Sequence, residues 1–204
     1  VTPRISRGAV VKYNNESNNY SIRGVAPAHQ FAEQTIIMFG RYINQEDIRS
    51  RAKHAVIGRM VEKDLFKGAS ALGAYIDVGG LAYKVVGVFQ DEGGDNEERL
   101  IYTPYTTTQL IEKNTDKVDQ IIVGFKPEIG YAGAMAFDKS LGTFIREQKY
   151  ISPSDPNGIF IRNVADQLKQ NQQFATVLQI IVSFFSIGTL IAGIIESAIL
   201  WFLW

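Results

Sequence analysis

Cysteine is absent from this 204-residue chain, which excludes disulfide frameworks, thiolate metal sites and cysteine nucleophiles together. The absence leaves the compartment open, because a cysteine-free chain suits oxidising and reducing surroundings alike. Net charge is missing too: 21 Lys and Arg balance 21 Asp and Glu. A nucleic-acid partner calls for a basic surplus, so no nucleic acid is expected. Histidine is scarce. His29 and His54 are the only two, and neither has a partner at metal-ligand spacing such as His-x3-His. His29 reads as a surface helix residue and His54 as a strand-edge residue. The serines form no Gly-x-Ser-x-Gly elbow. Gly58-Arg59 falls between a strand and a helix but lacks the Gly-x4-Gly-Lys-Ser/Thr pattern of a phosphate loop. No catalytic, cofactor-binding or metal-ligating residue is assigned, no cofactor is expected, and the chain reads as non-catalytic.

What is present is globular in composition, with 46% hydrophobic and 21% charged residues. The charge is unevenly spread: beyond Phe174 only Glu196 carries any. Residues 174–195 are uncharged, and as a helix they would run roughly 33 Å against a hydrocarbon core of about 30 Å. A membrane span is the expectation there, with Glu196 at a membrane edge. Gly188 with Ala192, and Gly193 with Ser197, are small-residue pairs of the kind that let spans approach one another. Residues 1–7 show no export pattern, so the chain is expected to be a piece of a longer protein.

Before the tail, local patterns give a series of elements. Strands are expected over 9–13 and 20–25, around the polar turn 14–19. A helix is expected over 28–39, with Phe31, Thr35 and Met38 on one face. Asn44-Gln45-Glu46-Asp47 reads as a cap opening a short helix. Residues 54–57 read as a strand and 59–66 as a helix. The runs 74–78 and 81–89 flank Gly79-Gly80, the strongest hairpin signal in the chain. Residues 91–99 form an acidic loop, expected to be solvated because its spacing does not follow an EF-hand. A strand over 100–104 and a helix over 106–113 come next. A strand over 119–125, a helix over 130–148 carrying Ala134, Phe137, Leu141 and Phe144 in register, and a strand over 159–162 follow. Helical signal then continues from Val164 into the tail without Gly or Pro as far as 187, a stiff connection. Asn15-Glu16-Ser17 and Asn19-Tyr20-Ser21 match glycosylation acceptors, which would mean nothing if the protein were bacterial.

Taken in order, these residues resemble a known family. Tyr20, Ile22, Gly24, Val25 and Pro27 match the Y-x-I-x-G-V-x-P opening of the extracytoplasmic domain in MacB-type ABC transporter permeases. Gly40-Arg41-Tyr42-Ile43 with Asp47, then Ala55-Val56-Ile57-Gly58 with Leu65-Phe66, resemble the stretches that follow in that family. Ile76-Asp77-Val78, Val85-Val86-Gly87-Val88 and Ile101-Tyr102-Thr103-Pro104 continue the series. The resemblance covers about residues 20–104 by motif and the rest to Arg162 by pattern.

The resemblance implies an α+β fold: a split porter-like α/β subdomain, residues 1–39 and 115–163, carrying an inserted sabre-like subdomain, residues 40–114. A stalk and transmembrane helix over 164–204 would follow. It implies a bacterial inner membrane location, with residues 1 to about 170 on the periplasmic side. The implied partners are a cytoplasmic ABC ATPase, a second permease in a homodimer or heterodimer, and, in Gram-negative relatives, a periplasmic adaptor and an outer-membrane channel. The implied work is mechanical coupling of ATP hydrolysis to drug or peptide efflux or to lipoprotein release, with FtsX-like regulation of cell-wall hydrolases as a further branch. This stretch lacks the ATPase and the other spans, so it cannot transport alone. Its last residues, Ile195 to Trp204, depart from the G-I-G-x-x-N-I-M-L run of the family. A single-span extracytoplasmic sensor is the alternative, and a pocket lined with polar groups would favour it.

Overall fold

The computed structural model describes residues 1–113, 116–125, 127–152, 155, 157–164, 169, 173, 174, 176–183, 185, 186 and 189. The chain divides into two compact units, Val1–Gly124 and Phe125–Trp204. In the first, the strands are β1 Thr2–Tyr13, β2 Glu16–Val25, β3 Ile36–Gly40, β4 His54–Gly58, β5 Tyr75–Val78, β6 Leu81–Gln90, β7 Leu100–Pro104 and β8 Gln120–Ile122. Its helices are α1 His29–Ala32, α2 Gln45–Ser50, α3 Arg59–Phe66 and α4 Tyr105–Ile111. The second unit holds α5, Gly130–Gln148.

The hairpin of β1 and β2 starts the sheet, in register from Arg4 opposite Val25 to Tyr13 opposite Glu16. β2 then pairs in parallel with β7, and β7 antiparallel with β4. β4 pairs in parallel with β6, and β6 turns back on β5. Two residues of β5 return to β1, Val78 opposite Val11 and Asp77 opposite Lys12. These pairings close a ring, β1–β2–β7–β4–β6–β5, so six strands have neighbours on both sides. β3 lies outside on β6, and β8 outside on β1. The Gly79-Gly80 turn is as expected: φ of +59° and +88° at the two positions is the backbone that a two-residue hairpin requires.

Two apolar clusters fill the unit. One gathers Val11, Ile22, Ile57, Leu65, Phe66, Ile76, Val85 and Ile101, with Tyr13 stacked on Phe66 at 4.0 Å. The other surrounds Tyr102, whose ring meets Phe89 at 4.8 Å and Tyr42 at 5.7 Å. Helix α4 is tied to the neighbouring segment by its threonines. Thr106 Oγ1 donates to the Ile48 carbonyl at 2.8 Å, and Thr107 Oγ1 to that of Ala52 at 2.9 Å.

Three expectations are corrected. The helix over 28–39 is only one turn, α1, and residues 36–40 are strand β3. Gln34 takes a φ of +53°, which breaks the helix. Ile36 and Ile37, which follow Thr35 in a β-branched run, then pair with Gln90 and Phe89 of β6, and Phe39 and Gly40 with Val88 and Gly87, where an open edge rewards extended backbone. Phe31 and Met38 are consequently exposed instead of sharing a buried helical face. The strand over 119–125 shrinks to β8, because its partner β1 ends at Thr2, opposite Ile122. Residues 159–162 form no strand.

In the second unit, α5 buries Ala134 while Phe137 and Phe144 remain exposed. Asn163 Nδ2 donates to Asp138 Oδ2 at 3.3 Å, and Arg146 Nη1 donates to the carbonyls of Ser152 and Asp155. The described residues among 173–189 are helical, with Phe174, Ile180, Val182 and Phe185 exposed. Among the described residues no helix is long and apolar enough to cross a membrane. Ten of the 22 residues of the expected span lie outside the described residues, Gly188, Ala192 and Gly193 among them, as do Glu196 and Ser197.

Candidate functional site

Function in the first unit has three places to reside: a polar cluster under α1, an ion-pair knot at α2, and the outer edge of β3. The knot arises from local sequence. Asn44 caps α2, accepting from the Asp47 N–H at 2.9 Å, and the Asp47 carboxylate accepts in return from the Asn44 N–H at 3.0 Å. Asp47 as a whole is 3% exposed. It also receives Arg41 in a two-point fork at 2.6 and 3.0 Å, and His54 Nδ1–H at 2.7 Å. Burial works to raise its pKa, but the bonds from Arg41, Asn44 and His54 outweigh burial and bring it down to about 2. His54 therefore serves to tie β4 to α2.

His29 is corrected from a surface position to a fully buried one. An isolated turn of helix carries no outward signal of which side meets the core. Its ring packs against Tyr102 at 5.2 Å, and its Nδ1 lies 3.1 Å from the Tyr42 hydroxyl. Burial pushes the Tyr102 phenol up to about 12 and the Tyr42 phenol up as well, so both stay neutral.

The acidic loop is also corrected. Glu98, in a turn of 3₁₀ helix, is buried, and its carboxylate accepts from Arg59 Nε at 2.8 Å and from the Asp91 N–H at 3.2 Å. One acidic side chain thus pins the loop, while Glu92 and Asp95 are exposed. Gly58-Arg59 turns β4 into α3 and supplies the cation for Glu98. Asn15 and Asn19 are exposed on the first hairpin. Among the described residues no group of three or more His, Asp or Glu could hold a metal ion.

The outer edge of β3 faces solvent, with Ile36, Met38 and Phe39 exposed and Phe31 just before them at 82% exposure. Phe39 also borders an open groove shared with Arg59, Glu62 and Lys63 of α3 and floored by residues 68–70. Glu62 is held there by the Ala71 N–H at 3.1 Å. The groove and edge present apolar surface beside two cations, an arrangement suited to contact with another molecule.

The chain is similar in sequence and in fold to known proteins. A family model described as MacB-like periplasmic core domain matches residues 1–136. The macrolide export ATP-binding/permease protein MacB of Bdellovibrio bacteriovorus is 26% identical over 200 residues, 95% of this chain and 30% of the relative's length. The corresponding MacB of Vibrio parahaemolyticus is 32% identical over 110 residues, 52% of this chain and 17% of the relative. The chain thus spans under a third of these relatives. Among solved structures, the periplasmic region of MacB from Actinobacillus actinomycetemcomitans matches with a TM-score of 0.64 at 18% identity, covering 84% of this chain and 74% of that one. The extracellular domain of the transporter YknZ from Gram-positive bacteria matches with a TM-score of 0.52 at 17% identity, covering 69% and 75%. These likenesses show a shared mixed α/β fold. With residues 1–136 of its 204 matched, the chain belongs to the MacB-like periplasmic core domain family.

Proposed function

We propose that this chain is the extracytoplasmic part of an ABC transporter permease and works mechanically, relaying ATP-driven motion to cargo outside the inner membrane. The observation that carries the reading is the family match over residues 1–136, joined to the fold likeness to the periplasmic region of MacB. The exposed apolar residues between Phe174 and Phe185 support a stalk that continues into a span. In this reading residues 1 to about 170 lie on the periplasmic side. The partners are a cytoplasmic ABC ATPase, a second permease, and an adaptor with an outer-membrane channel; the cargo is a drug, a peptide or a lipoprotein.

The division into a split subdomain, 1–39 with 115–163, and an insert, 40–114, belongs to the same proposal. The return of β8 to β1 is consistent with the split and the pairing of β4, β5, β6 and β7 with the insert, while β2–β7, β1–β5 and β3–β6 join the two parts in one sheet.

The test is to isolate the intact gene product from membranes in mild detergent and identify what accompanies it. A co-purifying or fused ABC ATPase is expected. A preparation with no ATPase, or one with a kinase instead, overturns the transporter reading in favour of the sensor. Asn15→Cys in this cysteine-free chain reports the side of the membrane: a membrane-impermeant maleimide labels it in spheroplasts if the placement is correct.

A further inference from the structure

Residues 28–35 are held in an unusual way. Their backbone bonds are made with one another or with the two residues before them: His29 N–H to the Ala26 carbonyl at 3.0 Å, Gln30 N–H to Pro27 at 3.3 Å, Thr35 N–H to Gln30 at 3.0 Å. No ladder bond secures them, and only His29 and Thr35 of the segment are buried. The segment is held to the rest of the unit by the buried His29 and Thr35 and by the bond from Arg4 to Glu33, and of these the imidazole is the group that titrates near neutral pH.

The seat of that imidazole has no place for a second proton. Nδ1 is matched to the Tyr42 hydroxyl, while Nε2 is buried without a hydrogen-bond partner. Glu33, which follows α1, has its Oε1 3.8 Å from Nε2, beyond hydrogen-bond reach, and Asp91 is a second acid that acts on the cluster, through Tyr102. The Glu33 oxygen already accepts from Arg4 Nη1 of β1 at 3.0 Å. Arg23 faces the cluster from β2, paired with Glu97 at 3.6 Å, and Tyr42 and Tyr102 close it from the segment after β3 and from β7. An imidazolium here would be fully desolvated and set among two guanidinium groups.

We infer that residues 28–35 form an acid-released flap, in which His29 takes up a proton only when the segment has lifted off the Tyr42–Tyr102 surface. Burial, aided by Arg4 and Arg23, pushes the docked imidazole down to about 4 from its ordinary 6.5. The lifted state binds the proton more readily than the docked state. Docking is thus untouched above the ordinary value, weakens progressively as pH falls from 6.5 towards 4, and weakens no further below that. At pH 5 the balance shifts towards the lifted state by about 30-fold relative to pH 8. Lifting bares the aromatic surface beneath and frees the stretch leading into β3. A periplasmic setting, which rests on the function proposed above, would expose the flap to the pH of the medium; the flap itself does not depend on that reading.

The test uses the whole chain. Its two histidines give two imidazole NMR signals, and exchange of the amides at 28–35 is followed from pH 8 to 5 after correction for intrinsic rates. The His29 signal is expected to stay neutral to below pH 5 in the docked state, with exchange at 28–35 rising about 30-fold. His29→Gln, neutral throughout, removes the rise. A His29 that titrates near 6.5 while the segment stays protected overturns the flap, and so does an equal rise in the variant. The wild-type titration decides the matter alone if the variant does not fold. Loss of the ATPase from the pulldown would leave this result unchanged.

Discussion

Replacing Asp47 by Asn keeps the side chain's shape and removes its charge, so it isolates what the carboxylate contributes at the α2 knot. The ionised group is held by Arg41 at two points, by the Asn44 N–H and by His54, and these bonds bring its pKa from 3.8 to about 2. At about 1.4 kcal/mol per unit, the ionised form stabilises the fold by about 2.5 kcal/mol at neutral pH. Because the folded-state value is depressed, that stability is present above 3.8 and is lost as pH falls through about 2. By pH 3 roughly half remains. Asn also turns an NH₂ towards a donor, so the expected loss at pH 7 is about 2–3 kcal/mol. Urea unfolding of both proteins at pH 7 and pH 3 measures it, and the gap between them should narrow at the lower pH. A gap below about 0.5 kcal/mol at pH 7, or one that does not narrow, refutes the account of the knot.

A Cβ added at Gly87 would meet the Arg41 carbonyl oxygen at 2.2 Å, and backbone cannot step aside as a flexible side chain can. Gly87→Ala should therefore lose more than about 3 kcal/mol in thermal or urea unfolding. Gly8→Ala, whose nearest neighbour is 4.0 Å away, should change stability by less than about 1 kcal/mol; similar effects at both sites would contradict the packing described. Glu98→Ala should destabilise the fold by about 2 kcal/mol and make residues 91–99 the first site of limited proteolysis, since it removes the acceptor that holds Arg59 and the Asp91 N–H. Unchanged cleavage there would show that the loop is held by something else.

Features made by neighbours in sequence were the ones legible in it. Gly79-Gly80 demanded a tight turn, Asn44 and Asp47 announced a reciprocal cap, and the helices over 59–66 and 130–148 lie within their expected bounds. Ring closure had no such signature. The parallel pairing of β2 with β7 joins Ser21 to Leu100, and nothing near either residue points to the other. The helix expected over 28–39 failed for a related reason, because the partner that drew residues 36–40 into a strand lies some fifty residues on. The β-branched Thr35-Ile36-Ile37 was the signal that could have shown it. At the candidate site, Asp47 was readable as a cap but not as the centre of a knot. Burial of His29 and Glu98 depended on Tyr42, Tyr102 and Arg59 arriving from distant strands and helices.

The pairing of β8 with β1 has a consequence for how the first unit bears load. Thr2 and Ile122 are direct antiparallel partners, which puts the two points where the backbone meets the unit about 5 Å apart on one rim. Chain attached at both points leaves side by side. A pull shared by the two carries the unit along as a rigid passenger, with little shear across its ring of strands. A pull that separates them peels β8 from β1 one bond after another, the weakest direction a strand pair offers. Close-set attachment also makes the unit a cassette: residues 2–122 could be spliced into a tight loop of an unrelated protein without spreading the ends of the host.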